Sequence, residues 1–298
     1  MTKEQVLEQL KFDLESRGRS PSTVEDYMAK VGLFQDHYGK PADQMGETEI
    51  LEYQHYLLTE KKLKPSTVNT YNSAIRFVYG ITLNSPLNTK RIPHIRNSRS
   101  LPILPTKEEL GFLFYLAGNS LRNKALFLTI YGSGIRLSEA ANLKVGDIDS
   151  AKGRIFVRKG KGGRDRYALL PKKALEALRA YWSEAQPKDW LFVTKNGTKM
   201  AEKSISDAWK AIVRRSGIPK HITVHTLRHC FATHLLEEGR NPFVIKQLLG
   251  HVTLHSTLWY LQLADSETLK LKKPAGFYEG VWQCLNYKIY SGCTASII

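Results

Sequence analysis

A run of prolines and basic residues divides the sequence into two parts with different patterns. Residues 85–106 (SPLNTKRIPHIRNSRSLPILPT) contain four prolines, carry no acidic side chain and show no helical or strand periodicity. Proline removes a backbone donor and disfavours helix at the preceding residue, so such a segment is typical of a connection between domains. We therefore predict a helical unit over 1–95, a basic linker over 96–106 and a second unit over 107–298, with a tail from about residue 275.

The first unit is predicted to be entirely helical. Apolar residues recur at helical spacing in VLEQLKFDLESRG, TVEDYMAKVGLFQDHYG, TEILEYQHYLLTEKK and TVNTYNSAIRFVYGITL. Two of these segments share their opening, SPSTVEDY and KPSTVNTY. Pro21 and Pro65 suit a first helical turn, where the missing N–H costs nothing. Four helices in a unit of this size form a compact bundle.

The second unit is predicted to be mainly α with a small antiparallel β-sheet. GRIFVRKG and RYALLP are short strands on either side of a Gly-rich turn, and DWLFVT is expected to be a third strand. Helical patterns follow in SISDAWKAIVRRSG, VHTLRHCFATHLLEEG and PFVIKQLLG. Asn241 and Pro242 open the last of these helices, and Gly250 closes it.

The charge balance favours a polyanionic partner. The chain has 298 residues with 44 Lys+Arg against 28 Asp+Glu, a formal net charge of +16. Such an excess is typical of nucleic-acid binding, and the basic linker either lies along DNA or is an exposed tether. No apolar run has the length of a membrane span, and the amino terminus lacks a signal-peptide pattern. Three cysteines without a C-x-x-C spacing fit a reducing cytoplasm.

The stretch HTLRHCFATH (225–234) allows two readings. His225 and His229 are four residues apart, which on a helix could form half of a zinc site. His225 and Arg228 are three apart, which could instead bind a phosphate. A metalloprotease-type H-E-x-x-H would need Glu where Thr226 stands, so we expect no metal and no other cofactor. We expect His229 to be a neighbour of the functional pair and His234 to be a packing residue.

Three further stretches carry candidate residues. In GSGIRLSEAANL (132–143), Arg136 could bind a phosphate through its planar fork, or could be a surface arginine paired with Glu139. In RIFVRKGKGGRDRY, Lys161 at the tip of a strand–turn–strand could reach a phosphate or donate a proton, or belong to a solvated basic hairpin. In LLGHVTLHSTLWY, His251 follows the helix-closing glycine and Tyr260 lies nine residues later, on an expected short helix.

Taken in order, these stretches resemble the tyrosine recombinases (phage-type integrases), and among them the short Xer-like members. HTLRHCFATHLLEEG, LLGH and the tyrosine nine residues after that histidine are the most specific parts, and GSGIRLSEAANL and GKGGRDR match two further family motifs. The chain departs from the family around the tyrosine, in STLWYLQL, and in its final segment. The resemblance implies a two-domain architecture, with a helical core-binding (SAM-like) domain followed by an α+β catalytic domain.

The resemblance also implies a metal-free phosphoryl transfer. Arg136 and Arg228 would bind the non-bridging phosphate oxygens, and His251 would add a hydrogen bond. Tyr260 would attack and form a 3′-phosphotyrosyl link, with His225 as base and Lys161 as acid. The implied catalytic residues are therefore Arg136, Lys161, His225, Arg228, His251 and the nucleophile Tyr260.

The implied partners are double-stranded DNA with inverted half-sites and further copies of the chain. A tetramer would form on DNA through the C-terminal tail, where Phe277, Tyr278 and Trp282 suit a buried contact, unless the tail folds onto its own subunit. An accessory DNA-bending protein is possible. The alternatives are a type IB topoisomerase-like relaxing enzyme, which shares the residue types, a non-catalytic DNA-binding regulator and a zinc hydrolase.

Overall fold

The computed structural model describes residues 1–85, 87, 92, 94–96, 103–158, 165–251 and 253–263. The chain divides into two compact units, Met1–Ser100 and Leu101–Ile298. Among the described residues, no helix has the length and apolarity needed to cross a bilayer.

The first unit is a helical bundle, as predicted. Its helices are α1 (Lys3–Ser16), α2 (Pro21–Tyr38), α3 (Glu47–Thr59) and α4 (Pro65–Phe77), and a π-helical turn (Val78–Thr82) extends the last of them. Pro21 and Pro65 are the first residues of their helices, where no intrahelical N–H bond is lost. The core consists of apolar residues from the helices and their connections: Val6, Leu10, Leu14, Val24, Val31, Phe34, Ala42, Met45, Ile50, Tyr53, Leu57, Val68, Ala74, Ile75, Val78, Tyr79 and Ile92.

The proline-rich segment is attached to the first unit at two described points. Ile92 is fully buried in the core of that unit. The side-chain amide of Asn69 donates to the Ile95 carbonyl at 2.9 Å and accepts from the Ile95 N–H at 2.9 Å. A side chain that pairs with both backbone groups of one residue substitutes for a strand partner, so this part of the segment follows the first unit.

The second unit is also mainly helical. Its described helices are α5 (Lys107–Ala117), α6 (Leu121–Ser133), α7 (Leu137–Ala141), α8 (Lys172–Ala185), α9 (Glu202–Ser216), α10 (Val224–Glu237), α11 (Pro242–Leu249) and α12 (His255–Leu258), followed by a 3-10 turn (Trp259–Gln262). Helix α11 has the predicted ends, because Asn241 caps it by accepting from the Phe243 N–H and Gly250 closes it with a φ of +63°.

A three-stranded antiparallel sheet accompanies these helices, which confirms the predicted fold class. The strands β1 (Ile148–Asp149), β2 (Arg154–Val157) and β3 (Arg166–Leu169) pair in chain order, with Ile155 opposite Ala168. The prediction of a strand at DWLFVT is wrong. Trp190 and Val193 form only isolated bridges, while Leu191 and Phe192 are buried in the core. Its apolar pattern therefore reflects core packing rather than a hydrogen-bonded ladder.

Helix α10 contributes residues to two apolar clusters. Leu227 and Cys230 belong to the main core of the second unit, together with Trp209 and Phe127. Phe231, Ala232 and Leu236 of the same helix belong to a smaller group, here called the second cluster, which also contains Ile245, Leu249 and Tyr260. A polar side chain on this helix is therefore easily enclosed, and must find hydrogen-bond partners where it is.

Gly134 ends α6 at a close approach to α10 and α11. Its φ is +62°, and a Cβ added there would lie 2.3 Å from Cδ1 of Phe231 and 2.9 Å from Cδ2 of Leu249. Both the backbone conformation and the lack of space therefore require glycine.

Glu139 on α7 binds two arginines from different segments. Arg166 on β3 donates to both carboxylate oxygens, at 2.8 Å each, and Arg136 donates to Oε1 at 2.8 Å through its side chain and to Oε2 at 2.8 Å through its backbone N–H. Burial alone would raise the pKa of Glu139, but the hydrogen bonds and charges of Arg166 and Arg136 outweigh it and lower the pKa from 4.5 to about 2. Arg166 also donates from Nε to the Leu248 carbonyl at 3.1 Å, so one guanidinium joins β3, α7 and α11.

We expect Gly134→Ala to destabilise the second unit more than Gly217→Ala. Gly217 also ends a helix at positive φ (+67°), but nothing lies within 4 Å of an added Cβ. Each substitution places an alanine in the left-handed conformation, which costs about 1–2 kcal/mol. Gly134→Ala adds an overpacking cost of about 1–3 kcal/mol. Urea unfolding followed by tryptophan fluorescence measures the difference, because all five tryptophans lie in the second unit. Equal losses would show that the contacts at Gly134 relax freely.

We expect Glu139→Gln to lower the free energy of unfolding at neutral pH by about 3 kcal/mol, because two guanidinium groups lose a buried counter-charge. The native pKa of about 2 lies below the ordinary value of 4.5, so the carboxylate stabilises the fold fully above about pH 4.5 and progressively less as the pH falls toward 2. The gap between the variant and the unchanged chain should therefore narrow between about pH 7 and pH 3.

Urea unfolding at several pH values measures that gap. Asp207→Asn is the control, because Asp207 pairs at 3.5 Å with Lys210 and both side chains are more than half exposed. This substitution should change stability by less than about 1 kcal/mol at any of these pH values. A gap for Glu139→Gln that stays constant with pH would contradict the assignment of the low pKa.

Candidate active site

The first turn of α10 carries the histidines and the arginine of the HTLRH stretch. Thr223 caps the helix by accepting from the Thr226 N–H, which fixes where the helix begins. From this start Arg228 points to the interior, while His225 is exposed and His229 is partly buried.

Arg228 is one of the largest fully buried side chains of the described residues, with 1% of its surface exposed. Its guanidinium donates to the Leu249 carbonyl at 2.7 Å and to the Gly134 carbonyl. Both carbonyls lie at the carboxyl ends of helices, α11 and α6, where unpaired oxygens carry partial negative charge. Burial and the nearby Arg136 lower the pKa of Arg228 to about 10, which leaves it cationic at neutral pH.

Arg136 is held close to the same helix end. It pairs with Glu139, and its guanidinium also donates to the Gly250 carbonyl at 3.3 Å. The sequence allows Arg136 to be a phosphate-binding group or a surface arginine paired with Glu139. The pairing with Glu139 is present, but the Arg136 side chain is only 20% exposed, which leaves the phosphate-binding role open. The planar group is pre-oriented, which is a requirement for binding two oxygens of one phosphate.

His251 follows Gly250 directly and is fixed by a buried hydroxyl. Its Nδ1 lies 2.8 Å from Oγ1 of Thr257, which is fully buried. Burial, with further contributions from Arg228 and Arg136, lowers the pKa of His251 to about 4, so the ring is neutral near pH 7. The ring lies nearly parallel to that of Tyr260, at 13° and 6.1 Å between centroids.

Tyr260 brings its hydroxyl into this group of side chains. It lies in the 3-10 turn after α12 rather than within that helix, and only 4% of its surface is exposed. Burial raises the pKa of the phenol, and the positive charges of Arg228 and Arg136 act in the opposite direction. The net shift is upward, so the hydroxyl keeps its proton at neutral pH.

The histidine that contacts Tyr260 is His229. Its Nδ1 lies 3.1 Å from the phenolic oxygen, and its ring is in edge-to-face contact with that of His225 at 4.6 Å. The sequence predicts His229 only as a neighbour of the functional pair, and the family resemblance gives the role of base to His225. The sequence signal for His229 is its position four residues after His225, which by itself indicates half of a zinc site as readily as a contact with Tyr260.

The remaining histidine of the stretch lies outside this group. His234 Nδ1 is 2.9 Å from the Tyr131 hydroxyl, at the edge of the main core, which confirms the expectation of a packing residue. The described residues contain no group of three or more His, Cys, Asp or Glu side chains suited to a metal ion.

Two expected features lie outside the described residues. Lys161 belongs to the unassigned stretch 159–164, between β2 and β3. The tail residues Phe277, Tyr278 and Trp282 follow the last described residue. Of the six residues expected to be catalytic, the structure brings five together, in the first turn of α10 and around the carboxyl ends of α6 and α11: Arg136, His225, Arg228, His251 and Tyr260.

Comparison with known proteins identifies related sequences over both units. Residues 105–267 match the model of the phage integrase family, and residues 6–89 match that of the phage integrase N-terminal SAM-like domain. A tyrosine recombinase of Thermosipho africanus is 33% identical, over 84% of this chain and 92% of its own length. The tyrosine recombinase XerA of Pyrococcus furiosus is 29% identical, over 93% of this chain and 96% of its own.

Solved structures show the same fold. The crystal structure of XerA recombinase is 25% identical with a TM-score of 0.52, covering 89% of this chain and 96% of that one. XerH bound to palindromic difH has a TM-score of 0.68 at 20% identity, covering 84% and 79%. The Tn1549 transposon integrase in complex with transposon right end DNA has a TM-score of 0.70 at 19% identity, covering 90% and 97%.

These relatives support the expected recombinase rather than the topoisomerase-like alternative. The family model covers more than half of the chain, and a recombinase at 33% identity is matched over 92% of its length. The chain therefore belongs to the phage integrase family, the tyrosine recombinases, and is Xer-like.

Proposed function

We propose that this recombinase cuts and rejoins duplex DNA at specific sites through a 3′-phosphotyrosyl intermediate on Tyr260. One observation carries the proposal: the buried Tyr260 places its hydroxyl 3.1 Å from Nδ1 of His229 and its ring parallel to that of His251, within the field of the cations Arg136 and Arg228. A phenol is a weak nucleophile while protonated, and positive charge together with a neutral imidazole is what activates it.

The same residues suit the transition state of phosphoryl transfer. As Tyr260 attacks, negative charge grows on the non-bridging oxygens, and Arg136 and Arg228 are fixed in advance to bind them. His251 uses Nδ1 for Thr257, so its Nε2 is the nitrogen that would donate to the phosphate. One imidazole of the His225–His229 pair accepts the phenolic proton. Lys161 protonates the departing 5′ oxygen.

The strand that follows Lys161 in the chain, β3, is joined to the arginines of the site. Arg166, at the start of β3, is fixed to Glu139 and to the Leu248 carbonyl. The strand that leads out of the Lys161 stretch is thereby attached to the residue that orients Arg136. This attachment of β3 supports the assignment of the acid to Lys161, which precedes β3 in the chain.

The substrate class follows from charge and from the relatives. A net charge of +16 favours binding to the DNA backbone. Residues 1–95 would act as the core-binding domain, with 96–106 as a basic linker and 107–298 as the catalytic domain. XerH was solved on a palindromic site and lambda integrase as a dimer on a core site, which supports inverted half-sites here. A tetramer held together by the tail from about residue 275 would be the synaptic form, and the cysteine usage supports a cytoplasmic location.

Tyr260→Phe is expected to abolish the covalent DNA adduct while leaving DNA binding unchanged, because only the attacking oxygen is removed from a buried ring. The measurement is trapping on a suicide substrate, a nicked duplex whose 5′ end diffuses away after cleavage. Tyr131→Phe is the matched control, since it also removes a hydroxyl that is bound to a histidine of α10. Full adduct yield from Tyr260→Phe would overturn the assignment of the nucleophile.

Arg136→Lys is expected to slow adduct formation by about 10²–10³ in single-turnover assays, because a lysine keeps the charge but cannot bind two phosphate oxygens through a planar fork. Arg215→Lys is the control. The Arg215 guanidinium also donates to a main-chain carbonyl at 3.3 Å, that of Leu116, but it is exposed and belongs to α9. Equal rates for the two variants would remove Arg136 from the proposed site.

A further inference from the structure

We propose that His229, rather than His225, is the general base that takes the proton from the Tyr260 hydroxyl. The inference rests on the proposed function and assigns one step of it. It starts from a contact, the 3.1 Å separation between Nδ1 of His229 and the phenolic oxygen. That distance is within the range required of a proton acceptor.

The surroundings of His229 keep its ring in place. The imidazole packs between the rings of Trp259, at 5.8 Å, and His225, at 4.6 Å, and lies 5.5 Å from the ring of Tyr260. Tyr260 belongs to the second cluster and Trp259 packs against it, so the ring that contacts His229 and the proposed nucleophile share the same packing. His225, by contrast, is exposed at the start of α10.

His229 is also in the protonation state that a base needs. Burial, then the nearby His225 and Arg228, lower its pKa to about 4, so the ring is neutral above about pH 5. The other groups around the reacting hydroxyl are Arg136, Arg228 and His251. A bound phosphate would partly neutralise the two arginines, which would raise the pKa of His229 and strengthen it as a base once DNA is present.

The phenolic proton moves to Nδ1 of His229, in the tautomer that carries hydrogen on Nε2. The phenolic oxygen forms a bond to phosphorus while the bond from phosphorus to the 5′ oxygen breaks. The leaving oxygen takes a proton from the Lys161 ammonium. In the reverse direction a 5′-hydroxyl attacks, and the imidazolium of His229 returns its proton to the departing phenolate.

The test compares His229→Asn with His234→Asn. Both histidines lie on α10 and both place Nδ1 near a tyrosine hydroxyl, at 3.1 Å and 2.9 Å, but only the first of these tyrosines is the proposed nucleophile. Asparagine retains a hydrogen-bonding atom near Nδ1 and cannot accept a proton. Rates of adduct formation are measured in single-turnover assays with the full chain between about pH 6 and pH 9.

We expect His229→Asn to react about 10²-fold more slowly at neutral pH. Without a base the phenol must ionise to solvent, so the rate of this variant should rise about tenfold for each pH unit. The unchanged chain and His234→Asn should react at the higher rate with a shallow pH dependence. A rate that is reduced equally at every pH would assign His229 a merely structural role and overturn the proposal, as would a rate within about twofold of that of the unchanged chain.

A sulfur-substituted DNA separates the base from the acid. When sulfur replaces the 5′ oxygen, the leaving group needs no proton, so loss of the acid is compensated and loss of the base is not. His229→Asn should remain slow on this substrate. Recovery to the rate of the unchanged chain would identify His229 as the acid and contradict the proposal.

A measurement on the unchanged chain tests the role of His229 even if the His229→Asn variant fails to fold. In the ¹⁵N-histidine NMR spectrum of the unchanged chain, Nδ1 of His229 should carry no hydrogen, and the ring should stay neutral down to about pH 5. A hydrogen on Nδ1 would make His229 a donor to Tyr260 and exclude the role of base. Failure of the proposed function itself would look different, because the unchanged chain would then form no adduct.

Discussion

The site depends on the burial of one arginine. Arg228 lies inside the protein because two helices end in front of it and leave carbonyl oxygens without backbone partners. The guanidinium donates hydrogen bonds to these oxygens, and these hydrogen bonds offset the free-energy cost of burying its charge. Because Gly134 and Leu249 supply the two carbonyls, the ends of α6 and α11 are fixed relative to α10. Arg136 and His251 adjoin the same helix ends, so their positions depend on this packing.

A second charged group, centred on the Glu139 carboxylate, orients Arg136. Glu139 accepts from Arg136 and Arg166, and Arg166 also binds the Leu248 carbonyl. One carboxylate against two guanidinium groups leaves the cluster with net positive charge, in addition to that of Arg228. This net positive charge is what the proposed phosphate site requires, and the side chains that supply it are held in place by their own hydrogen bonds.

Local chemistry made much of the fold predictable. Pro21, Pro65 and Gly250 mark helix ends through their own backbone preferences, and these ends are where the sequence indicates them. Features that depend on distant residues were not predictable in the same way. The Gly134 carbonyl bound by Arg228 is 94 residues away in the chain, and the contact of His229 with Tyr260 joins positions 31 residues apart. The apolar run at DWLFVT was misassigned for the same reason, since a buried loop and a buried strand have similar composition.

Arg228 and Tyr260 are held in place by packing of very different extent. Arg228 lies on α10, which contributes Leu227 and Cys230 to the main core, whereas Tyr260 belongs to the six-residue second cluster and to a single 3-10 turn. Local opening requires only the loss of the contacts that hold the opening segment. The turn with Tyr260 should consequently detach at a much lower free energy than that needed to unfold the arginine site. In hydrogen-exchange experiments its amides should exchange well before those of α10, so Tyr260 can leave this group of side chains while Arg228 stays in place.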